Sequence, residues 1–360
     1  VVVFEVVALP SAFAYLIPNF NAIPLWSIAG ETVYATWVLV GGVGAITMTY
    51  LNYRGIRPAA QFQAIFTVII GLAGVTLAIG AVANGRSASG PLLDSGIWGS
   101  YAVALMVPFF FVGFDVIPQA AGEANISRRT IGLLIPISVV FAALFYIAII
   151  WGAGQSLPAS RLVESSLPAA LAMEHLFDSL WIGRIMALAG IAGILTSWNS
   201  FLVGGSRAIY ALADSSMIPQ FLSEIHDEHK TPKNAILLIG VLSVFSPLFG
   251  KQMLTWIVNT TGLGLVVAWF LVTVSFFVLR YREPDMERPF RLPLGLGIGA
   301  IALVLNLFFI RLYLPGGASS LVWPYEWGFV LFWIVLGGIL SLASGETEVH
   351  DVEGFEELKN

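Results

Sequence analysis

The chain has 360 residues, of which 58% are hydrophobic and only 11% charged, against about 25% charged in an ordinary soluble domain. That balance excludes a water-solvated globular domain and leaves lipid as the default solvent. The formal charge of -5 comes from an acidic tail, Ser344 to Asn360, while the body is balanced, and cysteine is absent; a basic face for nucleic acid, disulfides, thiolate catalysis and Cys-ligated metal are thereby excluded.

Val1, Val2, Val3 and Phe4 are apolar from the outset, with no basic region or small-residue cleavage site. The expected start is an interrupted membrane segment, not a signal peptide. Apolar stretches long enough to span lie at about 1–17, 33–51, 59–83, 100–121, 131–152, 181–205, 234–249, 254–279, 293–313 and 327–343. An all-α polytopic membrane protein of about ten transmembrane helices follows, with 234–249 short and Pro247 near its end.

Lys and Arg accumulate on the cytoplasmic side of a membrane. With both ends inside, twelve of the seventeen fall there, including Arg54, Arg57, Arg128, Arg129, Arg207, Arg280 and Arg288, and five fall outside: Arg86, Arg161, Arg184, Lys251 and Arg311. The external stretch Ala153 to Leu180 carries an amphipathic run, Ser160 to Leu171, bracketed by Pro158 and Pro168. It reads equally as a lid or as a helical linker.

Glu5 lies in the first span, either deep in the bilayer or near its interface. The fourth span holds Pro108, Phe109, Phe110, Phe111, Val112, Gly113, Phe114, Asp115 and Pro118. Proline removes a helix hydrogen bond and glycine loosens the backbone, so the helix is expected to break near 112–116 and offer freed backbone groups to a zwitterionic solute. A kinked helix with its backbone satisfied is the alternative. A charged Asp115 costs about 2.5–3.5 kcal/mol at mid-span, so it must be paired, cavity-facing or protonated. That makes it a candidate proton carrier.

The sixth span offers Thr196, Ser197, Asn199 and Ser200, which suit either a coupling ion or simple adhesion between helices. Trp198 and Phe201 are three apart and share a face, for stacking on a substrate or for packing. No enzyme motif occurs. His226 and His229, with Asp227 and Glu228, read as a solvated turn rather than a metal site. No cofactor is expected.

Three stretches resemble the amino acid/polyamine/organocation transporter superfamily: Phe110 to Glu123, Ser206 to Pro219 with Lys230 to Ala235, and Leu279 to Pro293. Asn52-Tyr53-Arg54-Gly55-Ile56 also fits. The resemblance implies family helices three to twelve, without the first two. It also implies an inverted five-helix-repeat fold, divided here into the end of the first repeat (1–83), a complete second repeat (84–280), two accessory helices (281–343) and the tail (344–360).

The implied activity is secondary transport of amino acids by alternating access, by proton-coupled symport or exchange, in the cell membrane. Polyamine or organic-cation transport is one alternative, and a non-transporting sensor or structural subunit another. Phe109 matches an aromatic gate, Gly113 and Phe114 the unwound segment, and Phe201 a substrate-facing position; Phe110, Val112, Asp115 and Trp198 complete the expected substrate site. Asp115, Glu5, Thr196, Ser197 and Asn199 are the candidates for a coupling proton or sodium. Two departures stand out: Ile70 occupies the place of a lysine seen in some proton-coupled relatives, and Gly122-Glu123 stands where a glutamate pair is frequent.

Overall fold

A computed structural model describes residues 1–55, 58–85, 99, 103, 106–119, 126–291, 294–317 and 320–344. Arg57, Arg86, Gly122, Glu123 and the tail beyond Ser344 lie outside the described residues. Thirteen helices occur among the residues described. They are α1 (Val2–Leu16), α2 (Ala35–Tyr53), α3 (Pro58–Asn84), α4 (Val107–Phe110), α5 (Val116–Gln119), α6 (Arg128–Gly154), α7 (Ala159–Glu164), α8 (Pro168–Phe177), α9 (Leu180–Asp214), α10 (Lys233–Val244), α11 (Gln252–Arg282), α12 (Gly295–Tyr313) and α13 (Tyr325–Leu342).

Nine of the ten expected apolar stretches coincide with helices, and the fourth is described chiefly at 106–119. Six helices, α3, α6, α9, α11, α12 and α13, are long and apolar enough to cross a membrane; α1 and the 233–249 segment are shorter. Pro247 converts the end of that segment into a 3-10 turn, Ser246–Phe249. The chain is an all-α, multi-pass membrane protein.

Helix ends follow local chemistry. Ser127 caps α6, its hydroxyl accepting the Thr130 amide at 3.1 Å. α8 opens on Pro168 and closes on Asp178 in the left-handed conformation. α9, at 35 residues, is about 50 Å long at ~1.5 Å per residue, more than the ~30 Å hydrocarbon core.

α1 is the centre of the bundle. One of its faces buries Val2, Val6 and Leu9 against Ala45 and Met48 of α2 and Trp198 and Leu202 of α9. Another places Val7 against Trp37, Met253, Trp256 and Ile257, joining α2 and α11. The close approach depends on Gly41, where a Cβ would lie 2.8 Å from the Val6 carbonyl oxygen and 2.6 Å from the Pro247 ring.

Two features depart from expectation. A short hairpin, β1 (Pro24–Ile28) and β2 (Glu31–Tyr34), joins α1 to α2. Its two-residue turn, Ala29-Gly30, has φ of 52° and 84°, the pattern that matches strand twist in tight hairpins. Trp26 Nε1 donates to the Leu248 carbonyl at 3.0 Å, tying the hairpin to the far end of the 233–249 segment. The amphipathic run Ser160 to Leu171 is not one helix: it divides at Ser165 to Leu167 between α7 and α8. α8 then buries Ala172, Met173 and Leu176 against Leu77 and Ala81 of α3.

Candidate functional site

The fourth stretch breaks where its residues suggest. Pro108 sits at the start of α4, which ends after Phe110; residues 111–115 form turns, and α5 begins at Val116. Gly113 has φ +123°, a conformation open to glycine and strained for other residues. The Asp115 carboxylate accepts the Gly113 amide at 2.8 Å, so it caps the break it belongs to. Val116 N–H reaches the Gly113 carbonyl at 3.1 Å and Ile117 N–H the Phe114 carbonyl at 3.3 Å. Among the described residues the amides of Phe114 and Asp115 and the carbonyls of Phe111 and Val112 have no partner.

Four helices surround this segment. On the α1 side, the buried Phe109 ring meets Phe4 edge-on at 4.9 Å between centroids. On the α9 side, the half-buried Phe201 ring lies 3.7 Å from where a Gly113 Cβ would stand, and α5 rests on Gly204 through Val116 and Gln119. On the α11 side, Phe114 packs on Trp269 at 5.4 Å. On the α6 side, Tyr146 contacts Phe110 and Phe111 and donates its hydroxyl to the Phe110 carbonyl at 2.9 Å. A cavity of about 230 Å³ lies between the broken segment and α6.

Glu5 is buried within the bundle, at 5% exposure. Ser197 of α9 places its hydroxyl 2.5 Å from the Glu5 carboxylate, with the Gly193 and Ile194 carbonyls also in reach at 3.0 and 3.1 Å. Ile70 packs beside this point, 3.6 Å from the Cβ position of Gly193.

The remaining polar residues of α9 point elsewhere. Thr196 bonds the Gly193 carbonyl at 2.9 Å and Ser200 the Thr196 carbonyl at 3.0 Å, both within their own helix. Asn199 joins a clasp across three helices: it accepts from Asn52 at 3.0 Å and donates to Gln63 at 3.3 Å, and Gln63 donates to Ser200 at 2.6 Å. These bonds hold α2, α3 and α9 together, as small polar side chains do between membrane helices. Trp198 is fully buried in the α1, α2 and α9 core, while Phe201 packs on the edge of that core. The two thus differ in surroundings although they lie three residues apart.

Several partners escaped the sequence. Asn52 and Gln63 carry no local mark of their meeting with Asn199. Glu326, at 2% exposure, accepts from Asn259 at 2.6 Å and from the Val322 amide at 2.7 Å, pinning α13 to α11. His226 spends Nδ1 on the amides of Glu228 and His229 at 3.2 and 3.3 Å, and its ring stacks on His229 at 4.3 Å. Thr231 ties the same loop to the Tyr53 carbonyl at 2.8 Å. Nearby, the Lys233 ammonium bonded to Glu224 holds that carboxyl below its ordinary range. Among the described residues no cluster of three metal-ligating side chains occurs.

The family model described as amino acid permease matches residues 1–340. The chain belongs to the amino acid permease family, within the amino acid/polyamine/organocation superfamily. Over 297 residues it is 26% identical to the branched-chain amino acid permease BcaP of Bacillus subtilis, covering 82% of this chain and 61% of that one. It is 23% identical to the methylthioribose transporter of Bacillus subtilis over 92% of this chain and 70% of that one. It is 27% identical to cationic amino acid transporter 4 of Homo sapiens over 76% of this chain and 44% of that one. The chain thus spans less than two thirds of the first and third of these permease relatives.

Proposed function

We propose that this permease chain forms the larger part of a secondary amino acid transporter of the cell membrane, with both ends cytoplasmic. It works by alternating access around the broken segment. The observation that carries this reading is the break itself: two amides and two carbonyls of residues 111–115 lack partners among the described residues and lie among helices α1, α6, α9 and α11. In an apolar medium unpaired backbone groups cost several kcal/mol each, so they persist where a solute or water answers them. A zwitterion answers both kinds.

Phe109, Phe110, Val112, Gly113, Phe114, Asp115 and Phe201 are assigned to the substrate, with Phe109 and Phe201 closing over it. The inverted-repeat division at 83 and 280 that the resemblance implies would let one set of helices rock about this centre. Coupling is assigned to protons. Glu5, held by Ser197, and Asp115, bonded to Gly113, are the carboxylates set next to moving parts, and Ile70 supplies no charge in the position where a lysine serves some relatives.

The test is uptake of labelled amino acids into proteoliposomes containing the full-length protein, with and without an inward proton gradient. Saturable, gradient-stimulated uptake is expected. Uptake indifferent to the gradient removes the proton, and no uptake removes the transport reading.

A further inference from the structure

The cavity between the broken segment and α6 is lined by Phe110, Phe111, Val112, Gly113, Phe114 and Ile117 on one wall, and by Ser138, Val139, Ala142 and Tyr146 of α6 on the other. From this lining we infer that the transported solute is a neutral amino acid with a branched or aromatic apolar side chain, and that α6 forms the wall that selects it. The inference rests on the amino acid reading above and adds the substrate class and the selecting wall.

Three features carry it. First, among the described residues the lining holds no carboxylate, ammonium or guanidinium. Neither Asp115, whose carboxylate accepts the Gly113 amide, nor Glu5, bonded to Ser197, is among the lining residues. Burying an unpaired charge is far more costly than burying an apolar group. Second, both hydroxyl groups of the lining already donate to backbone carbonyls. Ser138 donates to Ile135 at 2.7 Å and Tyr146 to Phe110 at 2.9 Å. A polar side chain therefore finds no free hydroxyl donor there. Third, the space fits: an apolar cavity of ~150 Å³ holds a benzene ring, and this one measures about 230 Å³.

The geometry also links wall to backbone. Gly113 lines the cavity and is adjacent to the unpaired amides of Phe114 and Asp115. A solute whose charged end engages those groups would lie beside a cavity that Val139 and Ala142 also line.

The experiment uses the full-length protein in proteoliposomes, with labelled leucine, phenylalanine, alanine and lysine as probes. Leucine and phenylalanine are expected to exceed lysine by about tenfold or more. Ala142→Phe, which fills the cavity, should lower the leucine-to-alanine uptake ratio about tenfold, and Val139→Ala, which enlarges it, should raise the phenylalanine-to-leucine ratio severalfold. These are the sizes expected when one or a few methylene groups decide fit. Lysine uptake equal to leucine uptake would overturn the assignment of substrate class. Uptake ratios unchanged in Val139→Ala would overturn the α6 wall, even where Ala142→Phe fails to fold. Absence of uptake for every amino acid would instead strike the transport reading on which the inference rests, and this inference with it.

Discussion

The Ser197 hydroxyl of α9 lies 2.5 Å from the Glu5 carboxylate of α1, two residues 192 apart in sequence and both on helices that pack against the broken segment. The hydroxyl has one proton and three oxygens within reach, the other two being the Gly193 and Ile194 carbonyls of its own helix. It can satisfy the carboxylate or its own helix, but not both at once. Helix separation would break the first contact and leave the other two available, so the cost of opening falls on Glu5. Glu5→Gln is expected to abolish stimulation of uptake by an inward proton gradient while leaving measurable uptake without one. Full stimulation in that variant would remove Glu5 from coupling.

Asp115 has two separable properties, its charge and its bond to the Gly113 amide. Asparagine keeps an acceptor in the same place and loses the charge; alanine loses both. If the charge serves coupling, Asp115→Asn abolishes the pH dependence of uptake but keeps the thermal stability of the parent, and Asp115→Ala also lowers that stability by about 1–3 kcal/mol for the orphaned amide. Parental pH dependence in Asp115→Asn would confine the residue to capping.

Gly113→Ala isolates backbone strain. A Cβ at this position would meet the Phe201 ring at 3.7 Å, an ordinary contact, so space is available. The φ of +123° is what alanine resists, at about 1–3 kcal/mol for a sparsely populated conformation. Uptake by this variant should fall about tenfold or more, measured as initial rate per folded protein. An unchanged rate would show that the break is not part of the transport cycle.

Glu326 tests the α11 and α13 contact. Replacing it by alanine leaves the Val322 amide and the Asn259 side chain without their acceptor, a loss of about 1–3 kcal/mol for each buried group left unsatisfied. Glu326→Gln keeps an acceptor and should cost less. Thermal unfolding in detergent orders the three proteins, and equal midpoints would contradict the pinning role.

The sequence predicted what is local. Runs of apolar residues marked nine helices, and Pro108 with Gly113 marked the break, because chain stiffness and hydrogen-bond loss act within a few residues. Long-range partners left no such mark: nothing beside Asn199 announces Asn52 or Gln63, and Glu326, following Trp323-Pro324-Tyr325, looks like an interfacial residue until α11 buries it. The hairpin was hidden because its nine residues, Pro24 to Tyr34 less the turn, are too few to stand out between two apolar segments. The run at 160–171 misled because its amphipathic period continues through Ser165 to Leu167, where the helix does not.

A loop contact outside the membrane responds to pH with a definite sign. Lys233 holds the Glu224 carboxyl below its ordinary value of 4.5. The contact therefore steadies the 224–233 loop above that value and is lost as pH falls through the lowered one. The hydrogen-exchange protection of this loop, taken relative to the intrinsic exchange rate at each pH, should be high at neutral pH and fall in acid, and Glu224→Gln should give the low protection throughout.

The central claim is that an amino acid binds at the break. This chain contains no cysteine, so Val112→Cys, placed in a full-length background free of other thiols, reports on the site by its rate of reaction with a water-soluble maleimide. Leucine at saturating concentration is predicted to slow that reaction severalfold, with no effect on a control thiol at Val163 on α7, which is 83% exposed. Equal rates with and without leucine, in protein that transports leucine, would place the substrate elsewhere.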